Sequence, residues 1–332
     1  MKILLTSDLH IKKGIFVDIG IEYLNYISSY CKENEIDKIY FLGDMFEKSS
    51  KIYNEAFIPV HKKFSQMSKD LFLTFILGNH DIYSIDRNDS IVESFEPFGK
   101  IIKESEVESR EGKLEYSLSY TKNEGDILEP EEDITSFLFT HLAIADFTFD
   151  NNYHVNEKIA FRRELFSGYK FVFSGHFHKH QVKNNIIFIG SPYQLNINEA
   201  NTAKGFVVLD TDREEWKFIE YKGAPEFLKI SINDIKNLEN INFKNKFVRI
   251  KIDKKIDEFL KLKYILYEKG ALDVVPDFES IIEKIEVPEN VNDVDMSMSM
   301  QDIIYTYIKN IDNEKIDNKK LIKIFDKISK EV

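Results

Sequence analysis

Short apolar runs that stop at a glycine or a charged residue recur along the first half of the chain. Residues 71–77 (LFLTFIL) are the clearest case, running into Gly78-Asn79-His80-Asp81. Residues 2–7 stop at Asp8-Leu9-His10, 38–42 (KIYFL) at Gly43-Asp44, 136–140 (SFLFT) at His141, and 170–174 (KFVFS) at Gly175-His176-Phe177-His178. Continuous apolar runs of this length read as buried parallel strands. Two segments with helical apolar spacing lie between the first three, at 18–33 (Ile19, Tyr23, Tyr26, Ile27, Tyr30) and at 52–68. A β-α-β-α-β order predicts a parallel sheet with right-handed crossovers. Ligands of such sheets gather outside the carboxyl ends of the strands, so the polar residues ending these runs are expected at one edge.

The remaining pattern is less regular. Residues 88–98 read as a short helix, and 100–133 as mixed and charged with a hairpin at Glu111-Gly112. Residues 145–165 read as a long loop near the site. Residues 186–189 and 205–210 read as strands of a second sheet, with 216–221 pairing beside them. The segment Gly190-Ser191-Pro192-Tyr193-Gln194 reads as a turn leading away from the polar edge. The pattern changes at Lys222-Gly223-Ala224-Pro225. A strand (226–231), a helix (232–239), a strand (246–252), a helix (254–268) and a strand (271–275) follow, enough for a small α+β domain. Residues 288–299 are polar and acidic, as in a linker. Two apolar stripes come after it: Met300, Ile303, Ile304, Tyr307, Ile308 and Ile311, then Leu321, Ile322, Ile324, Phe325 and Ile328, with 313–318 as the turn. The expected division is 1–222, 225–285, a linker at 286–299, and a helical segment at 300–332.

Composition narrows the classes. Of 332 residues, 43% are hydrophobic and 31% charged, as in soluble globular proteins. No run of apolar residues is long enough to span a membrane. The opening MKILLTSDLH reaches a charge by Asp8 and lacks the core and cleavage site of a signal peptide. Cys31 is the sole cysteine, which excludes a disulfide framework and a thiolate zinc site. An intracellular, cytoplasmic location is expected. The formal net charge of -12 argues against a generally basic nucleic-acid surface. Bound divalent cations would reverse that sign locally.

The run ends collect Asp8, His10, Asp44, Asn79, His80, His141, His176 and His178. Strand alternation would place Asp8 and His10 on one side and Leu9 on the other. Carboxylate, amide and imidazole donors without sulfur suit a pair of manganese, iron or zinc ions. A pair needs a bridging carboxylate, and Asp44, at a sharp Gly-Asp turn, is the candidate. Two ions about 4 Å apart activate water and neutralise a phosphoryl group during in-line attack. Asp81 is a candidate to orient the His80 ring.

These motifs, in order, resemble those of the calcineurin-like metallophosphoesterases: Asp8-x-His10, Gly43-Asp44, Gly78-Asn79-His80-Asp81, His141 and Gly175-His176-x-His178, spread over about 170 residues. The resemblance implies a four-layer α-β-β-α sandwich with two metals at one edge. It implies a first ion on Asp8, His10, Asp44 and His178, and a second on Asp44, Asn79, His141 and His176. It gives His80 the scissile phosphate and the leaving oxygen, with Asp81 behind it. SGHFHKHQVKNNIIFIGSPYQL followed by GFVVLD is similar to the SbcD-type double-strand-break nucleases, most closely the shorter phage recombination endonuclease small subunits. That similarity implies a manganese-dependent DNA nuclease in DNA repair and recombination, phage-encoded in an infected cell. It would act as an exonuclease on duplex ends and an endonuclease on single strands. The same similarity implies a small domain capping the site, a homodimer, and C-terminal helices (300–332) docking on an SbcC-type coiled-coil ABC ATPase. The chain departs from many cellular members at Glu47, where they carry histidine, so Glu47 stays outside the catalytic set.

Blander readings stand beside these. A single histidine at a strand end is ordinarily structural; the ordered set carries the metal reading. His61 reads as a surface residue and His180 as a solvated loop residue or a phosphate contact. His154 is a substrate-contact candidate in the long loop. Lys12, Lys13, Arg162 and Arg163 lie on loops near the expected edge and read as phosphate partners or as solvated charges. Two alternative functions remain open from sequence: a small-substrate phosphodiesterase or phosphatase of the same fold, and a catalytically silent subunit tethering an ATPase to DNA.

Overall fold

Alternation along the strands sets the layers. In Lys2–Thr6, Leu4 turns to one apolar core while Ile3 and Leu5 turn to another. Lys38–Leu42 repeats this, with Ile39 and Phe41 in the first core and Tyr40 and Leu42 in the second. A strand buried on both faces must lie inside a layered structure. The computed structural model describes residues 1–84, 89–148, 160–231, 241–251, 256–277, 308, 319–322 and 325.

The first sheet runs Glu215–Glu220, Gly205–Asp210, Lys2–Thr6, Lys38–Leu42, Phe72–Ile76, Gly99–Ile102. The last four are mutually parallel, and the first two are antiparallel additions. The second sheet runs Gln181–Lys183, Ile186–Phe188, Phe171–Ser174, Ser136–Thr140, Lys113–Leu118, Glu106–Arg110, with its four inner strands parallel. Ile3, Leu5, Leu42, Phe137, Phe139 and Phe173 fill the space between the sheets. Tyr40 stacks on Phe139 there, with ring centroids 4.5 Å apart. One buried ion pair crosses the gap: Glu115 accepts from Lys38 Nζ at 3.1 Å and from the Tyr40 hydroxyl at 3.0 Å.

Helices α1 (Ile15–Glu33) and α2 (Asn54–Met67) cover the outer face of the first sheet, burying Tyr23, Leu24, Ile27, Val60 and Phe64 against it. The outer face of the second sheet is covered, among the described residues, by Phe147, Phe166 and Tyr169 from loops and the short 3-10 turn Arg163–Phe166. The fold is the expected α/β sandwich of two mixed sheets flanked by helices. A third, parallel sheet (Glu226–Ser231, Lys246–Lys251, Asp273–Asp277) has its own core, to which α3 (Ile256–Glu268) contributes Phe259, Leu262 and Leu266. It joins the sandwich where Phe247 stacks on Phe16 at 5.8 Å and the Phe227 N–H donates to Gln194 Oε1 at 2.6 Å. Residues Met1–Asp277 form one compact unit and Phe278–Val332 a second. The helix expected at 232–239, the linker at 286–299 and most of 300–332 lie outside the described residues.

Several readings are corrected. Gly205–Asp210 and Glu215–Glu220 belong to the first sheet, not to the sheet holding Ile186–Phe188. After residue 190 the chain crosses back and pairs antiparallel with Lys2–Thr6, which a locally apolar run cannot reveal. The 88–98 helix is a 3-10 helix, Ile91–Phe98, started by a capping box between Ser90 and Glu93. His61 is half-buried among Phe57, Phe95 and Phe98 rather than on the surface.

Candidate metal centre

Because the central strands of both sheets are parallel, the loops after Lys2–Thr6, Lys38–Leu42, Phe72–Ile76, Ser136–Thr140 and Phe171–Ser174 open at one edge. Asp8, His10, Asp44 and His176 all have positive φ, at 54°, 43°, 54° and 92°. Left-handed backbone at non-glycine residues is strained and gathers at functional sites. It also corrects the expected reason for the pairing of Asp8 and His10. They do not alternate as in a strand, although Leu9 between them does turn into the core.

The loops are pinned to one another by main-chain bonds. Asp8 and His10 donate N–H to the carbonyls of Gly43 and Asp44, each at 3.0 Å. Two glycines permit this crowding. A Cβ at Gly43 would lie 2.3 Å from His141 Nδ1, and one at Gly78 would lie 2.2 Å from Asp44 Oδ1. The Asp81 carboxylate accepts the N–H groups of Asp44 (2.7 Å), Met45 (2.9 Å) and Gly78 (2.9 Å). Asp81 therefore fastens two loops together and does not orient His80. The His80 ring is held instead by the Glu47 carbonyl, which accepts from Nδ1 at 2.6 Å.

The side chains of the loops meet at this edge. His10 Nε2 lies 3.5 Å and His141 Nε2 3.3 Å from Asp44 Oδ2. His141 Nε2 and His176 Nδ1 stand 3.2 and 2.9 Å from Asn79 Oδ1. The His178 and His10 Nε2 atoms face each other at 3.1 Å. Three overlapping groups of metal-competent donors result: Asp8, His10 and His178; His10, Asp44 and His80; and Asp8, Asp44 and His141. Asp44 is common to two of them.

The outer nitrogens of these rings explain which atoms face inward. Leu42 carbonyl accepts from His141 Nδ1 at 2.7 Å, and the Glu199 carboxylate holds His178 Nδ1 at 3.1 Å. An acceptor behind the ring fixes the proton there and leaves the Nε2 lone pair for a cation. His10 Nδ1 is buried without a hydrogen-bond partner, 3.7 Å from Glu47 Oε2. A cation taken up by both facing Nε2 atoms would place the proton of His10 on its orphaned Nδ1, toward the Glu47 carboxylate, so this donor set fits metal ions.

Electrostatics agree. Burial pushes the His10 and His176 imidazoles down to about 3, so both are neutral and ready to ligate. Burial opposes a charge on His141, but the Asp44 carboxylate outweighs it and holds the ring up at about 9. Asp44 is likewise opposed by burial, yet the surrounding histidines hold it far below the usual carboxylate range. Burial raises Asp8. Burial and the Asp44 charge push Asp81 up to about 7 against the pull of its N–H donors. Neutral imidazoles at His10 and His176 beside an ionised Asp44 are the protonation states that suit a bound cation.

Sequence reading missed Glu199. It sits on the short 3-10 turn Ile197–Glu199 in a polar segment with no pattern to mark it. Its wholly buried carboxylate holds His178, Lys204 Nζ (2.7 Å), the Leu195 N–H (3.0 Å) and Asn196 Nδ2 (2.8 Å). The Gly190–Gln194 turn, expected to lead away, runs beneath the centre. The Ser191 N–H bonds the His178 carbonyl at 3.0 Å, and the Tyr193 hydroxyl bonds the Leu9 carbonyl at 2.6 Å. Of the other candidates, His180 stacks flat on Phe218 at 4.2 Å and Lys12 lies over Phe16 at 4.2 Å. Arg162 and Arg163 pair with Glu124 and Asp146. His154 lies outside the described residues.

Residues 1–180 match the calcineurin-like phosphoesterase family, and the chain belongs to that family. It is a metal-dependent phosphoesterase related to Mre11-type and phage recombination nucleases. The chain is 27% identical over 234 residues to the exonuclease subunit 1 of Enterobacteria phage T4, covering 66% of this chain and 67% of that protein. It is 30% identical over 103 residues to the DNA double-strand break repair protein Mre11 of Nanoarchaeum equitans, covering 30% of this chain and 28% of that one. Among solved structures, a dimetal phosphatase from Danio rerio aligns over 63% of this chain and 91% of its own, with 10% identity and a TM-score of 0.41. Among the described residues, no helix is long and apolar enough to cross a membrane.

Proposed function

We propose that this protein is a manganese-dependent DNA nuclease that hydrolyses phosphodiester bonds with two divalent ions. The observation that carries the reading is the place of Asp44, whose Oδ2 lies within 3.5 Å of both His10 Nε2 and His141 Nε2. Asp8, His10, Asp44 and His178 would hold the first ion, and Asp44, Asn79, His141 and His176 the second. Two ions there supply Lewis acidity for the phosphoryl group and an activated water for in-line attack.

The chain's own residues do the rest. A carbonyl can only accept, so the bond to Glu47 keeps a proton on His80 Nδ1. His80 Nε2 is thereby left to carry a proton to the leaving oxygen. Asp81 supports the reaction at one remove, by fixing the loop of Asp44 to the loop of Asn79 and His80. The kinship with an exonuclease subunit and a break-repair protein favours DNA over a small phosphoester. Residues 225–285 are assigned as a cap helping to position DNA. Residues 300–332 are assigned as the docking segment for a coiled-coil ATPase, joined by the linker at 286–299. A homodimer acting in the cytoplasm completes the proposal.

The test compares linear duplex DNA, single-stranded DNA and a chromogenic phosphodiester, each with manganese and with chelator. Cleavage of DNA that needs manganese and exceeds turnover of the small ester supports the proposal. Turnover of the small ester alone, with DNA intact in the presence of the ATPase, rejects it.

A further inference from the structure

A cleft of about 340 Å³ is lined by Ile82, Glu104, Ser105, Tyr120, Thr121 and Lys122 among others. Tyr120 is the one aromatic residue on its wall. Its N–H bonds the Leu77 carbonyl at 2.8 Å, which ties it to the end of the Phe72–Ile76 strand. Its ring lies over His176 with centroids 6.3 Å apart and planes inclined by 28°, and meets His141 at 72°. The ring is half-buried, and its hydroxyl has no hydrogen-bond partner among the described residues.

The charges on the wall separate two kinds of occupant. Lys103 is taken by Glu93 at 2.6 Å, and Asp126 by Thr121 Oγ1 and Asn123 Nδ2. Glu104 adds a carboxylate, which repels a phosphate but accepts from the amino or imino group of a base. Lys122 is exposed and has no ion-pair partner among the described residues. One aromatic ring, the hydroxyls of Ser105 and Tyr120, the Glu104 carboxylate and one unpaired cation suit a nucleobase with a phosphate at the cleft mouth, the Ser119 and Thr121 hydroxyls being bonded to Leu77, Ile102, Asn123 and Asp126. A base inside a duplex cannot reach such a face, so the cleft admits a single strand or a frayed end.

We propose that this cleft is a base subsite, in which an unpaired nucleobase of the bound strand stacks on Tyr120 while Lys122 meets a neighbouring phosphate. The inference rests on the reading that DNA is the substrate. It adds the feature of the chain that would make unpaired strands preferred.

The test uses the full chain and a single-stranded oligonucleotide carrying 2-aminopurine, with EDTA and again with calcium, so that binding is read without turnover. Stacking on Tyr120 quenches the fluorophore. Tyr120→Phe should bind and quench as the unaltered protein does, because only the ring is needed. Tyr120→Leu should lose the quenching and bind about 5- to 160-fold more weakly. Lys122→Ala should keep the quenching but lower the slope of log K against log salt by about 0.7. Thermal melts that match across the variants exclude unfolding as the cause. Absence of quenching in the unaltered protein under both conditions overturns the proposal, as does full quenching by Tyr120→Leu. Cleavage of the same strand with manganese is measured in parallel. Intact DNA rejects the nuclease reading, whereas cleavage together with unaltered Tyr120→Leu binding rejects the subsite alone.

Discussion

The carboxylate of Glu199 lies 3.1 Å from Nδ1 of His178, and nothing of that side chain reaches solvent. The pair stands on Lys204, whose ammonium sits 2.7 Å from the other carboxylate oxygen. A carboxylate behind a histidine fixes the ring's tautomer and raises its power as a ligand, and losing such a partner costs about 10- to 100-fold in metal affinity. Glu199→Gln should therefore weaken manganese binding by that factor in titration calorimetry while the fold stays intact. Unaltered affinity would remove Glu199 from the account of the site.

The same residue sets a pH dependence. Burial opposes its charge, but His178 and Lys204 outweigh burial and hold Glu199 down to about 2, against an ordinary 4.5. A depressed carboxyl stabilises the fold above its ordinary value and loses that contribution as pH falls toward its folded value. The window is thus roughly pH 4.5 down to 2, and the contribution on the order of 3 kcal/mol. In metal-free protein, the melting temperature should fall through this window, and Glu199→Gln should flatten that fall. An equally steep decline in the variant would assign acid unfolding to other groups.

Asp81 is a fastener, because three main-chain N–H groups converge on it from two loops. A buried main-chain N–H left without an acceptor costs about 1–3 kcal/mol, and removing the Asp81 carboxyl would orphan three together. Asp81→Ala should lower stability in urea by at least about 3 kcal/mol and reduce metal content together with activity. A stable variant that has lost only its turnover would restore Asp81 to a direct catalytic role.

His80 has a different expected signature. Removing a general acid costs about 10²- to 10⁴-fold in rate. His80→Asn should lose that much in kcat for DNA cleavage, with bound metal and melting temperature unchanged. A loss of metal in step with activity would place His80 among the ligands, where its proximity to His10 and Asp44 also permits it to act.

Much of this site was legible in the sequence because two signals coincide. An apolar run such as FLTFI, buried on both faces after the exposed Phe72, reads as an inner strand, and the Gly78-Asn79-His80 that follows reads as its end. Five such ends on parallel strands must meet. What was not legible depends on long-range pairing or on isolated residues. The pairing of Gly205–Asp210 with Lys2–Thr6 joins strands from opposite ends of the phosphoesterase sequence. Glu199 is one acid in a polar stretch, and only its burial reveals it. The partner of the His80 ring is a carbonyl, which no side-chain pattern encodes.

The central claim is that Asp44 joins two ions into one centre. Its most direct test is electron paramagnetic resonance of the manganese-loaded protein, paired with metal analysis. The account predicts two manganese ions per chain with the spectrum of an exchange-coupled pair, and loss of that coupling in Asp44→Asn. A single ion per chain, or two ions giving only the spectrum of isolated manganese, would contradict it.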